Sequence, residues 1–485
     1  MLNNNICQQA RLSKDARFDG KFFTAVLTTG IFCRPICPAR APKEENVRYY
    51  KNALQAQAAG FRPCKRCLPE LAPLTHSPLQ IKQLTQALDS GESLTCIGEK
   101  FKLSERQLRR LFIKHYGLPP SKYLHNQKLL LASKLLKTTN LSITEIAFAS
   151  GFNSIRRFNE AIKLAYKCTP SAIKNKLRAP LTTTNSVSIE LAYRPPFDWP
   201  LMLSFFRLRQ LNSVEQVDEN HYRRTIEISG SKGWFEVTAI SNKPALKLTV
   251  QLTDYRHLNQ VIIRVRRMFD LDADMQIIHQ HLSKQPQLKA VIEQYPGLRL
   301  PGCWDKFEFS IRAILGQQIS VKAATTLANR ISLQYGEKAI ANPFELTHIF
   351  PEKNALLNVD YKNIGLTRSR ISTLNNWLDF YQQHSDMLSC YASIESLEKQ
   401  LITIKGIGPW TVNYLAMRGL SDPDAFPSAD LGIIKALTIN DEKNATKASS
   451  KHINKPSNKE ILALSEKWRP WRAYAAIYLW YSLSH

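Results

Sequence analysis

The segment Leu401-Ile-Thr-Ile-Lys-Gly406-Ile-Gly408-Pro-Trp410-Thr-Val-Asn-Tyr414 sets two glycines in a short turn between two helical patterns. Glycines there let backbone N–H groups approach a phosphate closely, with little regard to base sequence. Twenty-four residues after Gly406 comes Phe426-Pro-Ser-Ala-Asp430-Leu-Gly432, a proline-containing turn that ends on a carboxylate. A GIG triplet alone is weak evidence of function. A helical hairpin followed at this distance by an aspartate is specific. The hairpin by itself suits contact with a phosphate backbone.

Working outward, the residues from Pro296 onward read as helical, with aromatics concentrated near the C-terminus. Residues 188–296 have another rhythm: Ile189, Leu191, Tyr193, Phe235, Val237, Leu246, Leu248 and Val250 alternate with other residues and predict strands. Residues 179–187 are expected as a linker, and Asn440 to Lys459, rich in Lys, Asn and Ser, as a mobile insertion loop.

The carboxyl half resembles the helix-hairpin-helix superfamily of DNA glycosylases, and more closely its AlkA type, 3-methyladenine DNA glycosylase II. Supporting segments are Tyr193-Arg-Pro-Pro-Phe-Asp-Trp199, Pro296-Gly-Leu-Arg-Leu-Pro-Gly302, Arg312-Ala-Ile-Leu-Gly-Gln-Gln-Ile-Ser320 and Trp468-Arg-Pro-Trp471-Arg-Ala-Tyr474. The resemblance covers about residues 188–485. It implies a mixed α/β subdomain (188–296), then an all-α helix-hairpin-helix domain (297–485). It also implies that Asp430 is the catalytic carboxylate, that Trp410, Tyr414 and Trp480 bind the base, and that Gly406 and Gly408 contact DNA.

Breaking an N-glycosidic bond builds positive charge on the sugar, which a carboxylate stabilises. An alkylated purine already carries positive charge, so aromatic faces suit it, each worth roughly 0.5–2 kcal/mol. The base must be flipped out of the duplex to reach such a pocket. Trp410 stands where strand-cutting relatives carry a lysine, so base removal alone is expected, with no cofactor. Gln318 stands where the type usually has an apolar wedge filling the vacated space in the duplex. Trp468, Trp471 and Tyr478 are expected in the core.

At the other end, Cys33, Cys37, Cys64 and Cys67 form a CxxxC and a CxxC pair. Two close pairs can bring four thiolates around one tetrahedral zinc ion. Arg34, Arg40, Arg62, Lys65 and Arg66 stand near them and would offset the site's negative charge. The segments Asp19-Gly-Lys-Phe22, Thr28-Thr-Gly-Ile-Phe-Cys33-Arg-Pro, Glu45-Asn-Val and Ala58-Ala-Gly-Phe-Arg-Pro-Cys64-Lys-Arg-Cys67 resemble the zinc domain of Ada-type DNA repair regulators. That resemblance covers about residues 14–72, within a domain placed at 1–75. It implies irreversible transfer of a methyl group from a DNA methylphosphotriester to Cys33, with Cys37, Cys64 and Cys67 as the other zinc ligands. Methylation removes one negative charge beside the phosphates, so the methylated protein is expected to bind DNA more tightly.

Residues 76–178 carry two helix-turn-helix patterns. The first runs from Ser93 through Leu103-Ser104-Glu-Arg-Gln-Leu-Arg109-Arg-Leu-Phe112 to Tyr116-Gly117. The second contains Ile143-Thr-Glu-Ile-Ala147 and Ser150-Gly151-Phe152-Asn-Ser154-Ile-Arg-Arg-Phe158. Ser104 and Ser154 are placed to cap the second helix of each pair. Those helices would offer Arg106, Gln107 and Arg110, or Arg156 and Arg157, to a major groove. The region resembles an AraC/XylS-type DNA-binding domain. Its second motif departs from the family at Lys167, where glycine is usual, and at Ile162, where an aromatic is common.

Composition agrees with a DNA partner. The chain of 485 residues has a net charge of +26, and residues 1–178 hold 30 Lys and Arg against 11 Asp and Glu. Such an excess favours a polyanion. With 44% hydrophobic and 22% charged residues the chain has material for several cores, which excludes a wholly disordered protein. No apolar run suits a membrane span and no signal peptide is visible, so a cytoplasmic protein with no membrane partner is expected.

The expectation is a multidomain α+β protein: a small zinc domain, an all-α double helix-turn-helix domain, a mixed α/β subdomain and an all-α glycosylase domain. It would bind double-stranded DNA and zinc, and as a regulator would meet RNA polymerase. The alternative is a transcriptional regulator of the alkylation response whose glycosylase half is inactive.

Overall fold

The computed structural model describes residues 2–64, 66, 67, 69, 72, 73, 81, 84, 85, 87, 88, 93–174, 186–357, 359–388, 394–444 and 455–483. Most of the expected linker and the proposed offsetting Lys65 lie outside them.

The N-terminal unit is a small sheet behind the helix Asn4–Leu12. Its strands are β1 (Phe23–Val26), β2 (Ile31–Cys33), β3 (Val47–Tyr50) and β4 (Arg62–Pro63), in the order β3-β1-β2-β4. Gly30, with φ +63°, closes the tight β1–β2 turn in a backbone region open to glycine. Phe23, Ala25 and Phe32 are buried in its core. β2 and β4 run parallel, with Phe32 opposite Pro63, and the Cys64 N–H donates to the Phe32 carbonyl at 2.9 Å. This pairing brings the two cysteine pairs together at one edge of the sheet.

Two helix pairs follow. Ser104 and Gln107 form a capping box at the start of Glu105–Tyr116, and Ser142 and Glu145 form another at Ile143–Ala149. Ser154 caps Ile155–Tyr166. Apolar residues at i, i+4 spacing (Leu108 and Phe112; Phe158, Ile162 and Tyr166) face inward, as an amphipathic helix requires. The long helix Pro120–Thr138 joins the two motifs.

The α/β subdomain is an antiparallel sheet of β5 (Val187–Ala192), β6 (Glu215–Val217), β7 (His221–Ile228), β8 (Ser231–Ala239) and β9 (Ala245–Leu252), in the order β5-β9-β8-β7-β6. The alternation read in the sequence is the inward face: Ile189, Leu191, Phe235, Val237, Leu246, Leu248 and Val250 are all buried. Tyr193 lies one residue beyond β5. Helices Trp199–Arg207 and Leu258–Met268 contribute to the same core.

That core does not stop at the subdomain. It continues into Leu129, Leu135, Ile146, Phe158 and Ile162 of the helix-turn-helix region. The regulator-like region and the sheet therefore share one apolar core. The zinc unit shares a further apolar core with the first helix-turn-helix motif, where Phe23, Phe32 and Leu54 pack with Leu108, Phe112 and Tyr123, and polar contacts join it to the sheet side as well. Lys21 pairs with Asp274 at 2.7 Å, and the buried Arg194 donates to the Asp19 carbonyl at 3.3 Å.

The remainder is helical around a second large core that contains Trp377, Trp468 and Tyr478. Residues 445–454 of the expected insertion loop lie outside the described residues. Helix Leu431–Asn444 runs into it and helix Asn458–Ser465 begins inside it. The reason is a capping box, Ser457 with Glu460, which starts a helix whatever the flanking composition. Among the described residues no helix is long and apolar enough to cross a membrane.

Candidate active site and metal centre

Asp430 sits in the turn before helix Leu431–Asn444, half-buried. Its Oδ1 accepts from Trp480 Nε1 at 2.8 Å, Gly432 N at 2.9 Å and Ile433 N at 3.2 Å. Its Oδ2 accepts from Trp410 Nε1 at 2.9 Å. The carboxylate is thus both a helix cap and a group gripped by two indoles. Oδ1 is saturated, whereas Oδ2 has one donor among the described residues and keeps a lone pair for another partner.

The aromatic side chains expected at the base lie together. Trp410 and Tyr414 stack with ring centres 5.1 Å apart and planes 12° apart. Trp480 meets Tyr414 edge-on at 6.3 Å. Gly432 makes room for this arrangement, since a Cβ there would lie 3.0 Å from both Asp430 Oδ1 and Trp480 Cδ1.

Two arginines behind Tyr414 escaped the sequence reading. Arg418 is buried, donates to the Tyr414 hydroxyl at 2.9 Å and to the Pro301 and Gly302 carbonyls, and lies over Phe205 and Phe309. Arg209 lies over Phe205, 3.8 Å from its centre. Burial alone would push the Tyr414 phenol up, but the charges and hydrogen bonds of Arg418 and Arg209 outweigh it and hold it below the usual tyrosine value. No local motif announces these arginines: the carbonyls that hold Arg418, those of Pro301 and Gly302, are more than a hundred residues away, and Phe205, under both guanidiniums, is more than two hundred residues from Arg418.

The hairpin glycines differ. Gly406 has φ +97° and a Cβ there would lie 2.0 Å from Thr373 Oγ1, so packing and backbone both require glycine. Gly408 has open space where a Cβ would be and caps the helix Pro409–Tyr414. Gln318 is exposed with φ +59°.

In the zinc unit the four sulfurs of Cys33, Cys37, Cys64 and Cys67 all lie within 4.8 Å of one another. Zinc–sulfur bonds of about 2.3 Å place tetrahedral sulfurs about 3.8 Å apart, so the cluster fits one zinc ion. Backbone N–H groups reach three of the sulfurs: Arg34 N donates to Cys67 Sγ and Arg66 N to Cys64 Sγ, each at 3.4 Å, and Ala39 N donates to Cys37 Sγ. None is directed at Cys33 among the described residues, and Cys33 is partly exposed whereas Cys64 and Cys67 are buried. The Arg34 guanidinium is held by the buried Asp19 and by the Cys67 carbonyl.

Family models agree with this geometry. The metal binding domain of Ada matches residues 6–70, a helix-turn-helix domain residues 97–176, and the AlkA N-terminal domain residues 188–305. A Mycobacterium tuberculosis protein titled "Probable bifunctional transcriptional activator/DNA repair enzyme AlkA" is 35% identical over 492 residues, spanning 99% of this chain and 96% of that protein. This chain belongs to the bifunctional AlkA family. DNA-3-methyladenine glycosylase 2 of Escherichia coli is 31% identical over 60% of this chain and 96% of its own length. The 3-methyladenine DNA-glycosylase of Archaeoglobus fulgidus shares the fold, with a TM-score of 0.52, 20% identity and coverage of 61% of this chain and 98% of that one.

In this AlkA-family chain the expected DNA-reading side chains Arg106, Arg110, Arg156 and Arg157 are exposed. Gln107 is exposed too, but its carbonyl oxygen accepts from Ser104 N at 2.8 Å in the capping box. Arg156 pairs with Glu160 at 3.1 Å, an exposed i,i+4 contact of little strength that a phosphate can displace. Lys167 closes its helix with φ +55°, which explains why glycine is usual there. Lys167→Gly is expected to raise the unfolding free energy by about 0.5–1 kcal/mol, read by urea titration.

Proposed function

We propose that this protein is an alkylation-damage response protein joining three activities. Residues 1–75 take a methyl group from DNA methylphosphotriesters onto Cys33. Residues 76–178 bind promoter DNA and work with RNA polymerase. Residues 188–485 hydrolyse the N-glycosidic bond of alkylated purines such as 3-methyladenine. The chain is assigned to the cytoplasm, where its DNA substrates are.

The observation that carries the reading is the Asp430 carboxylate, gripped by Trp410 and Trp480 beside the stacked ring of Tyr414. The aromatic faces take the flipped, positively charged purine. The open lone pair of Asp430 Oδ2 faces the charge that develops on the sugar, or accepts a proton from the attacking water. The glycosidic electron pair leaves with the base.

At the other centre, bound zinc keeps the thiols deprotonated at neutral pH. Cys33 Sγ attacks the methyl carbon in line. The S–C bond forms as the C–O bond to the phosphate breaks, and the electron pair stays on the phosphate oxygen. The resulting thioether has no route back, so each chain acts once. Exposure favours Cys33, and so does the lack, among the described residues, of a backbone N–H on its sulfur, because hydrogen bonds to a thiolate lower its nucleophilicity.

Zinc removal separates the two chemistries. A chelator is expected to abolish methyl uptake and leave release of free methylated purines intact, measured on the same methylated DNA. Loss of base release together with methyl uptake would sink the assignment of a metal-free glycosylase.

A further inference from the structure

We propose that Gln317 is a positioning residue that fixes the loop bearing Gln318 to the hairpin at Gly406. This inference rests on the reading of Gln318 as the side chain that enters the duplex when a base is flipped.

The loop joins helix Lys306–Leu315 to helix Val321–Tyr335, with Ser320 capping the second. Gln318 stands at its tip, exposed and in the left-handed backbone region that side-chain-bearing residues rarely adopt. A loop in that conformation holds its tip only if its neighbours pin it. Gln317 supplies the pin. Both protons of its amide are used: Nε2 donates to the Gly406 carbonyl and to Thr411 Oγ1, each at 3.0 Å. Its backbone carbonyl accepts from Arg370 at 2.6 Å.

The same helix that carries Arg370, Arg368–Gln383, also backs the hairpin. Thr373 lies against Gly406, and Asn376 donates to the Lys405 carbonyl at 3.1 Å. One amide and one guanidinium therefore lock three pieces together: the tip that would fill the duplex, the turn that would hold the phosphates, and the helix behind both. Thr411 follows Trp410, so the lock sits one residue from the base pocket without touching the base. Its role is to set the distance between the phosphate grip and the inserted side chain. A flipped base stays out only when both act on the same turn of DNA.

The test uses single-turnover release of 7-methylguanine from two duplexes, one with the lesion paired to cytosine and one with it mispaired. A mispaired base is already loosened, so it depends less on insertion. Gln317→Leu removes both donated bonds at similar volume, and Gln317→Glu keeps the shape and loses the same donors. Both are expected to slow release from the paired duplex about tenfold, and from the mispaired duplex less than about threefold. Thermal unfolding of the same preparations reports folding. Equal slowing on both duplexes, or no slowing on either, overturns the proposal. Gln318→Ala is run beside them. If it shows the paired-duplex defect and the Gln317 variants do not, the positioning role alone fails. If Gln318→Ala is without effect on the paired duplex, the insertion reading itself fails.

Discussion

Asp430→Asn is expected to lower release of methylated purines by about 10²–10⁴-fold. A neutral amide cannot balance the positive charge that builds on the sugar. It also cannot satisfy the present donors. The asparagine oxygen can replace Oδ1 and accept from Trp480, Gly432 and Ile433. Its NH₂ then points at Trp410 Nε1, where a carboxylate oxygen now accepts at 2.9 Å. Two donors facing each other push Trp410 away and loosen its stack on Tyr414. The cap on helix Leu431–Asn444 survives, so the folding cost is on the order of 1–2 kcal/mol. A glycosylase assay against wild type, with thermal unfolding beside it, separates the chemical loss from the structural one. Normal base release by Asp430→Asn would remove the carboxylate from the mechanism.

The second large effect lies at the metal centre. Cys33→Ala is expected to abolish methyl uptake altogether, since no other sulfur in the cluster combines partial exposure with freedom from backbone N–H donors among the described residues. Cys64 and Cys67 are buried, and each accepts an N–H bond that tempers its thiolate. Base release by this variant is expected to match wild type. Mass spectrometry of tryptic peptides after incubation with methylated DNA reads the outcome. A methylated Cys37 in the variant would show that exposure alone, and not the hydrogen-bond pattern, selects the acceptor.

Both sites were largely legible in the sequence because their chemistry is local. The cysteine pairs are three or four residues apart, and parallel pairing of β2 with β4 brings the pairs into contact. Trp410 and Tyr414 are one helical turn apart, so they stack. Asp430 carries its own turn signal. One oxygen of Asp430 caps the following helix, while the other is held by Trp410 and keeps a lone pair for another partner.

What the sequence hid is what depends on distant partners. Arg418 meets Pro301 and Gly302 across more than a hundred residues. The Asp19 carboxylate holds Arg34 next to Cys33 while its carbonyl accepts from Arg194, 175 residues on. The core shared by the second helix-turn-helix motif and β5 to β9 is equally invisible to periodicity. Each element shows an apolar face, but no spacing says which face it meets. The length of helix Leu431–Asn444 was obscured by a lysine- and asparagine-rich composition that reads as loop.

The central claim is that one chain holds two independent alkylation chemistries, one stoichiometric and one catalytic. The measurement that bears on it most directly places wild type, Cys33→Ala and Asp430→Asn on the same methylated duplex DNA and counts methyl groups per chain and free purines per chain. Wild type is expected to reach one methyl per chain and to go on releasing purines. Cys33→Ala keeps only the purines, and Asp430→Asn keeps only the methyl. A variant that loses both products while remaining folded, or a wild type that releases no purine, would contradict it.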